Sequence, residues 1–146
     1  MILLDTNILV RSADGADPNY QTTTAAIKGC LRNKRKLCIA DQTLQEFWVV
    51  ATRGVHKNGL GMTPLRADRF VAQFLRLFTR LPDPPSLFDT WRAIVNQHGV
   101  TGIRSYDVRF VAFAQLHQLS GIMTFNTQDF AAFSITLVNP KDATTW

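Results

Sequence analysis

The stretch Met1-Ile2-Leu3-Leu4-Asp5-Thr6-Asn7 decides how this chain is read. Its apolar run reads as a buried strand that stops abruptly at Asp5. In a sheet covered by helices on both faces, ligands collect at the carboxyl ends of the strands. Asp5 therefore stands where chemistry usually happens. An isolated carboxylate there needs a cation or a proton to be tolerable.

Outward from that strand, strands and helices alternate. A short helix is predicted from Asn7, turn chemistry over Asp14–Asn19, and a helix from about Tyr20 to Asn33 with Ala26, Ile27, Cys30 and Leu31 on its apolar face. Leu37–Ala40 reads as a strand, followed by a helix carrying Leu44, Phe47, Trp48 and Ala51 at helical spacing. Arg53–Met62 is a Gly-rich loop. Thr63-Pro64 then opens a helix burying Val71, Phe74, Leu75 and Phe78. Ser86 begins a capping pattern before a helix with Trp91, Ile94 and Val95 inward. Ser105 can cap a further helix with Asp107 in its first turn and Val108, Val111, Ala112 and Leu119 as core candidates. Gly121–Phe125 and Ile135–Val138 read as strands. The alternation predicts a single α/β domain spanning 1–146 with a mainly parallel sheet.

The 146 residues suffice for one well-buried core. With 46% hydrophobic and 18% charged residues, the composition argues against disorder. No apolar stretch approaches the roughly 18–20 residues of a membrane span. No basic region precedes the apolar opening, and Asp5 breaks it too early for a signal peptide, so a cytoplasmic location and no membrane partner are expected. Cys30 and Cys38 form neither a metal-ligand nor a disulfide pattern and read as buried apolar residues. A formal charge of +5 favours a polyanionic partner and bears on association, not fold.

Three further pieces carry acids: Thr43-Leu44-Gln45-Glu46, Ser105-Tyr106-Asp107 and Thr124-Phe125-Asn126-Thr127-Gln128-Asp129-Phe130. Acids from separate elements, converging on a point, suit a hard cation such as Mg²⁺ or Mn²⁺. Each also has a plain explanation. Glu46 lies three residues after Thr43, the spacing of a capping box. Asp107 suits the positive end of a helix dipole. Asp129 could serve as a turn or cap residue, and Asn126 is a good turn former. Asp5 has no such local duty.

In order, these motifs resemble the PIN-domain family and, within it, the VapC-type toxin ribonucleases. Leu-Leu-Asp5-Thr6-Asn7 is similar to the family's first motif, Glu46 to its second acid, Asp107 to its third, and the segment from Thr124 to Phe130 to its fourth. Gly59-Leu60-Gly61, Trp91 and Asn139-Pro140 resemble landmarks of one subgroup. The resemblance implies a three-layer α/β/α domain cutting RNA with Mg²⁺ or Mn²⁺. Asp5 and Asp107 would be direct metal ligands, Glu46 would bind a second ion or hold a water, and Thr6 would donate a hydrogen bond into the cluster. Many relatives have Asp where this chain has Asn126, which offers a neutral oxygen but cannot share the charge. Asp129 either compensates or anchors the loop. A homodimer and a cognate antitoxin are also implied.

Arg104 and Arg109 flank Asp107 and are placed to meet substrate phosphate. The basic run Arg32–Lys36 reads as a solvated helix end. His56, His98 and His117 lack ligand spacing, and no nucleophile elbow or Walker loop is present. Two other functions fit the same residues: a PIN-fold nucleic-acid-binding module without turnover, and a DNA-directed nuclease of similar mechanism.

Overall fold

The computed structural model describes residues 1–142, 144 and 146. Five strands, β1 (Ile2–Leu4), β2 (Leu37–Ile39), β3 (Thr79–Arg80), β4 (Gly121–Met123) and β5 (Leu137–Val138), form one sheet in the order β3-β2-β1-β4-β5. Every pairing is parallel. Among the described residues seven α-helices flank it: α1 (Thr6–Ala13), α2 (Tyr20–Arg32), α3 (Asp41–Thr52), α4 (Pro64–Leu77), α5 (Leu87–Gln97), α6 (Arg104–Leu116) and the single turn α7 (Thr127–Phe130).

The pleat sorts the strand residues between two cores. Ile2, Leu4, Leu37, Ile39 and Met123 pack with Phe47, Phe74 and Phe78 beneath α1 to α4. Leu3, Cys38 and Ile122 pack with Val108, Val111 and Phe113 beneath α5 and α6. This is the three-layer α/β/α architecture. Its central strand is buried on both faces because both faces carry helices. From β1 the chain passes to β2 on one side, while β4 lies on the other. The strand order thus reverses at β1, and a crevice opens at the carboxyl ends of β1 and β4.

Several expectations are corrected at the residue level. Leu75 and Leu31 are exposed, at 45% and 46%, because an amphipathic helix buries a stripe and both lie at its margin. Neither β3 nor α7 was foreseen; each is too short for periodicity to register. Ser105 is not a cap, since α6 begins one residue earlier at Arg104 and has no side-chain cap. The 3₁₀ turn Val55–Lys57 interrupts the Gly-rich loop. There Gly59 is required, because a Cβ would come within 2.0 Å of the Arg53 carbonyl oxygen. Cys30 and Cys38 are free and buried, as expected.

Candidate metal centre

Asp5 directly follows β1 and prolongs its ladder by one residue, donating from its amide to the Met123 carbonyl at 3.0 Å. Leu4 pairs with Met123, so the next two residues, Asp5 and Thr124, arrive side by side. Thr124 Oγ1 donates to Asp5 Oδ2 at 2.6 Å, and Asn7 Nδ2 donates to the same oxygen at 2.6 Å. Asn7 Oδ1 accepts from the Phe125 amide at 3.3 Å, while Thr124 Oγ1 accepts from the Asn126 amide at 3.0 Å. Two neutral donors thus orient Asp5, which makes no ion pair among the described residues. Burial pushes its carboxyl up to about 6, Glu46 adds to the rise, and the Thr124 hydrogen bond opposes it.

Glu46 lies on α3. Its Oε2 accepts from Thr6 Oγ1 at 2.7 Å and its Oε1 from Gln42 Nε2 at 2.7 Å. The capping-box reading of Thr43 and Glu46 therefore does not hold. Thr43 Oγ1 accepts from the Ala40 amide and donates to the Leu4 carbonyl, and Glu46 faces the crevice. Gln42 is one helical turn before Glu46, on the same face. Its Nε2 also donates to the Tyr106 carbonyl at 3.1 Å, and its Oε1 accepts from Arg109 Nη1 at 2.9 Å. A guanidinium only donates, so Arg109 turns the amide oxygen toward itself and the NH₂ toward Glu46. Arg109 Nη2 donates in turn to Asp83 Oδ2 at 2.5 Å.

Asp107 sits in the first turn of α6, half-buried. Trp91 Nε1 donates to the Ser105 carbonyl at 2.7 Å and docks that turn against α5. Burial lifts the Asp107 carboxyl to about 6, with the charges of Asp129, Asp5 and Glu46 adding and Arg104 opposing. Carboxylates from three other parts of the chain therefore lie within electrostatic reach of Asp107.

Asp5, Thr6, Asp107 and Asn126 line one cleft of about 340 Å³, together with Asn7, Arg11 and Asp17. A larger apolar groove, about 580 Å³, lies beside Tyr106 and Arg109, but its one acid is Asp83, already paired with Arg109. The smaller cleft brings together Asp5 and Asp107.

The remaining expected residues divide. Asn126 precedes α7 without a side-chain cap, and its side chain is exposed at the cleft. Asp129 acts on Asp107 through its charge, while its carbonyl accepts from Arg104 Nη2 at 3.1 Å. Arg104 is exposed; Arg109 reaches the site only through Gln42. Asn7, Thr124, Gln42 and Arg11 were not singled out from the sequence. Gln42 carried a usable signal, four residues before Glu46 on one helix, and Asn7 and Thr124 stood inside quoted motifs.

Among the described residues, no three His, Cys, Asp or Glu side chains are grouped to enclose a metal ion. The lining donors are nevertheless all hard oxygens, with no sulfur or imidazole. Of the cleft's three aspartates, Asp5 and Asp107 with the neutral oxygens beside them fit Mg²⁺ or Mn²⁺, which commonly takes one or two carboxylates and keeps several waters.

Residues 2–135 match the PIN domain, and the chain belongs to that family. Solved structures share the fold. FitAcB from Neisseria gonorrhoeae has 23% identity and a TM-score of 0.68, over 97% of this chain and 99% of that one. VapC20 from Mycobacterium tuberculosis, described as a sarcin–ricin-loop-cleaving toxin, has 14% identity and a TM-score of 0.69, over 93% and 97%. VapBC2 from Rickettsia felis, solved with a DNA fragment from its promoter, has 19% identity and a TM-score of 0.67, over 95% and 98%. No curated protein is significantly similar in sequence. No helix among the described residues is long and apolar enough to cross a membrane.

Proposed function

We propose that this chain is a divalent-metal-dependent endoribonuclease, the toxin component of a toxin–antitoxin pair. The observation that carries this reading is the meeting of Asp5 and Asp107, from distant parts of the chain, in one cleft where burial and neighbouring acids push both carboxyls to about 6, Glu46 acting on Asp5 and Asp129, Asp5 and Glu46 on Asp107. Such a pair is costly unless a cation binds it. Asp5 and Asp107 would hold Mg²⁺ or Mn²⁺, with Glu46 and the neutral oxygen of Asn126 completing the set. When bound, the ion supplies charge stabilisation of the phosphoryl group and lowers the pKa of an attacking water.

The chain's own residues do the positioning. Asn7 and Thr124 fix the Asp5 carboxylate. Thr6 and Gln42 fix both oxygens of Glu46, so it can accept a proton from a nucleophile only in one orientation. Asp129 adds negative charge beside Asp107, which compensates for the neutral Asn126. Arg104 supplies positive charge at the rim, where a polyanionic strand would enter. A cognate antitoxin is part of this reading, supported by the similarity to toxin–antitoxin complexes, and we propose homodimerisation alongside it.

The test is Asp5→Asn: cleavage of RNA in Mn²⁺ should vanish while the far-ultraviolet circular dichroism stays native. Undiminished, chelator-insensitive cleavage by the folded variant would refute the proposal.

Asn126 and the absence, among the described residues, of a three-acid cage favour one second reading. On that reading the protein binds nucleic acid without turning it over. Titration with Mn²⁺ and RNA separates the two, since binding without cleavage at any metal concentration supports the module. Comparing an RNA with the same strand lacking 2′-hydroxyls separates RNA from DNA as substrate.

A further inference from the structure

Arg11 lies in the last turn of α1, half-buried, and lines the same cleft as Asp5, Thr6 and Asp107. Its guanidinium carbon sits 4.1 Å from the centroid of the Phe125 ring. Among the described residues it makes no ion pair and no side-chain hydrogen bond, although three aspartates share its cleft. Of the arginines expected to meet phosphate, Arg109 is engaged with Asp83 and Gln42, while Arg104 holds the Asp129 carbonyl through one nitrogen and stays exposed at the rim.

A guanidinium laid over a ring satisfies its face and leaves the N–H edges free in the plane. Those edges suit bidentate pairing with a phosphate. The ring is also tied to the acids. Phe125 follows Thr124, the donor to Asp5, and its amide donates to Asn7, the other donor to Asp5. The position of Arg11 is therefore registered to the carboxylates through Phe125.

We propose that Arg11 binds a backbone phosphate of the nucleic-acid strand next to the one cleaved, opposite the acids. This rests on the reading of the cleft as a nucleic-acid site. The competing role is structural: a cation near the end of α1 also complements the helix dipole, and a cation–π contact stabilises in its own right.

Salt dependence distinguishes the two, because only a phosphate contact changes counterion release. The experiment is fluorescence anisotropy with a labelled 12-nucleotide single-stranded RNA in EDTA, which prevents metal-dependent cleavage. Arg11→Met keeps the aliphatic stem over Phe125. It should weaken binding by about tenfold at low salt and reduce the slope of log K against log salt by about 0.7, the value for one lost contact on a single strand. Arg11→Lys should keep the slope. Wild-type affinity and slope in Arg11→Met would overturn the proposal, whatever its melting temperature. Wild-type protein offers a second measurement that needs no variant. Saturating RNA should protect Arg11 from phenylglyoxal, read by peptide mass spectrometry, and an unprotected Arg11 would overturn the assignment. If the wild-type chain bound no RNA, the nucleic-acid reading itself would fall, and Arg11 with it. If it bound RNA regardless of Arg11, the inference would fail alone.

Discussion

Thr6 donates its hydroxyl hydrogen to Glu46 Oε2 at 2.7 Å, joining the residue after Asp5 to a helix forty positions further on. This bond couples two acids that share no element. Thr6→Val removes the donor at nearly constant volume. A hydrogen bond to a charged group is worth about 1.5–3 kcal/mol. Turnover should fall by about tenfold or more with KM little changed, as measured in steady-state cleavage assays. A Thr6→Val enzyme of wild-type kcat would show that the orientation of Glu46 is unimportant.

Asp5 sets a pH dependence of stability. Its folded pKa of about 6 lies above the ordinary 3.8, so between those values the folded state binds more protons than the unfolded one. Stability of the metal-free protein therefore rises as pH falls from about 7 toward 4, and is lost as pH rises through 6. At neutral pH the buried charge costs on the order of 2–3 kcal/mol. Half-buried Asp107 acts in the same direction with a smaller weight. In EDTA, Asp5→Asn should melt higher than wild type at pH 7.5, with the gap closing near pH 4.5. Equal melting temperatures at pH 7.5 would contradict the shifted carboxyl.

Metal binding should run the opposite way. Protons compete for Asp5 and Asp107 near pH 6, so Mn²⁺ affinity measured by calorimetry should weaken by at least about tenfold between pH 7.5 and 5. Added Mn²⁺ should raise the melting temperature at pH 7.5 but barely at pH 5. EDTA should abolish cleavage, and excess Mg²⁺ or Mn²⁺ should restore it. An affinity flat across this range would argue against the paired acids as ligands.

The relay from Asp83 through Arg109 and Gln42 to Glu46 predicts remote effects. Gln42→Ala strips one donor from Glu46, and Arg109→Ala frees the amide to turn its oxygen toward the carboxylate. Both should lower kcat by roughly tenfold, with smaller changes in KM. Asp83→Asn should matter least, because its ion pair with Arg109 is partly solvent-exposed, 29% and 40% on the two sides, and such pairs contribute little. An Asp83→Asn effect as large as that of Gln42→Ala would mean the relay is ordered differently.

The main elements were legible because their signals are local. Unbroken apolar runs mark β1, β2 and β4, and helical spacing marks Phe47 with Ala51 and Val108 with Val111. The apolar run Ile135–Val138 also announced β5, though only Leu137 and Val138 pair, whereas β3 exists because β2 supplies its hydrogen bonds, and no periodicity can announce two residues. Asp5 was legible because a carboxylate ending a buried strand has no local reason to be there. Glu46 was ambiguous, since Thr43 three residues before it imitates a helix cap. Only the packing of α3 against β1 shows that Thr43 bonds the Leu4 carbonyl and that Glu46 turns to Thr6.

By itself the sequence determined an alternating α/β chain, with its acids in a family-like order and a carboxylate at the end of its first strand. Those are properties of composition, periodicity and short motifs, each set by a few neighbouring residues. Tertiary structure alone decided which donors hold each acid, that Arg109 serves Glu46 through an amide, and that Arg11 rests on the Phe125 ring. These relations join residues far apart in the chain. Their energies depend on distance and desolvation, which exist only once the strands lie side by side.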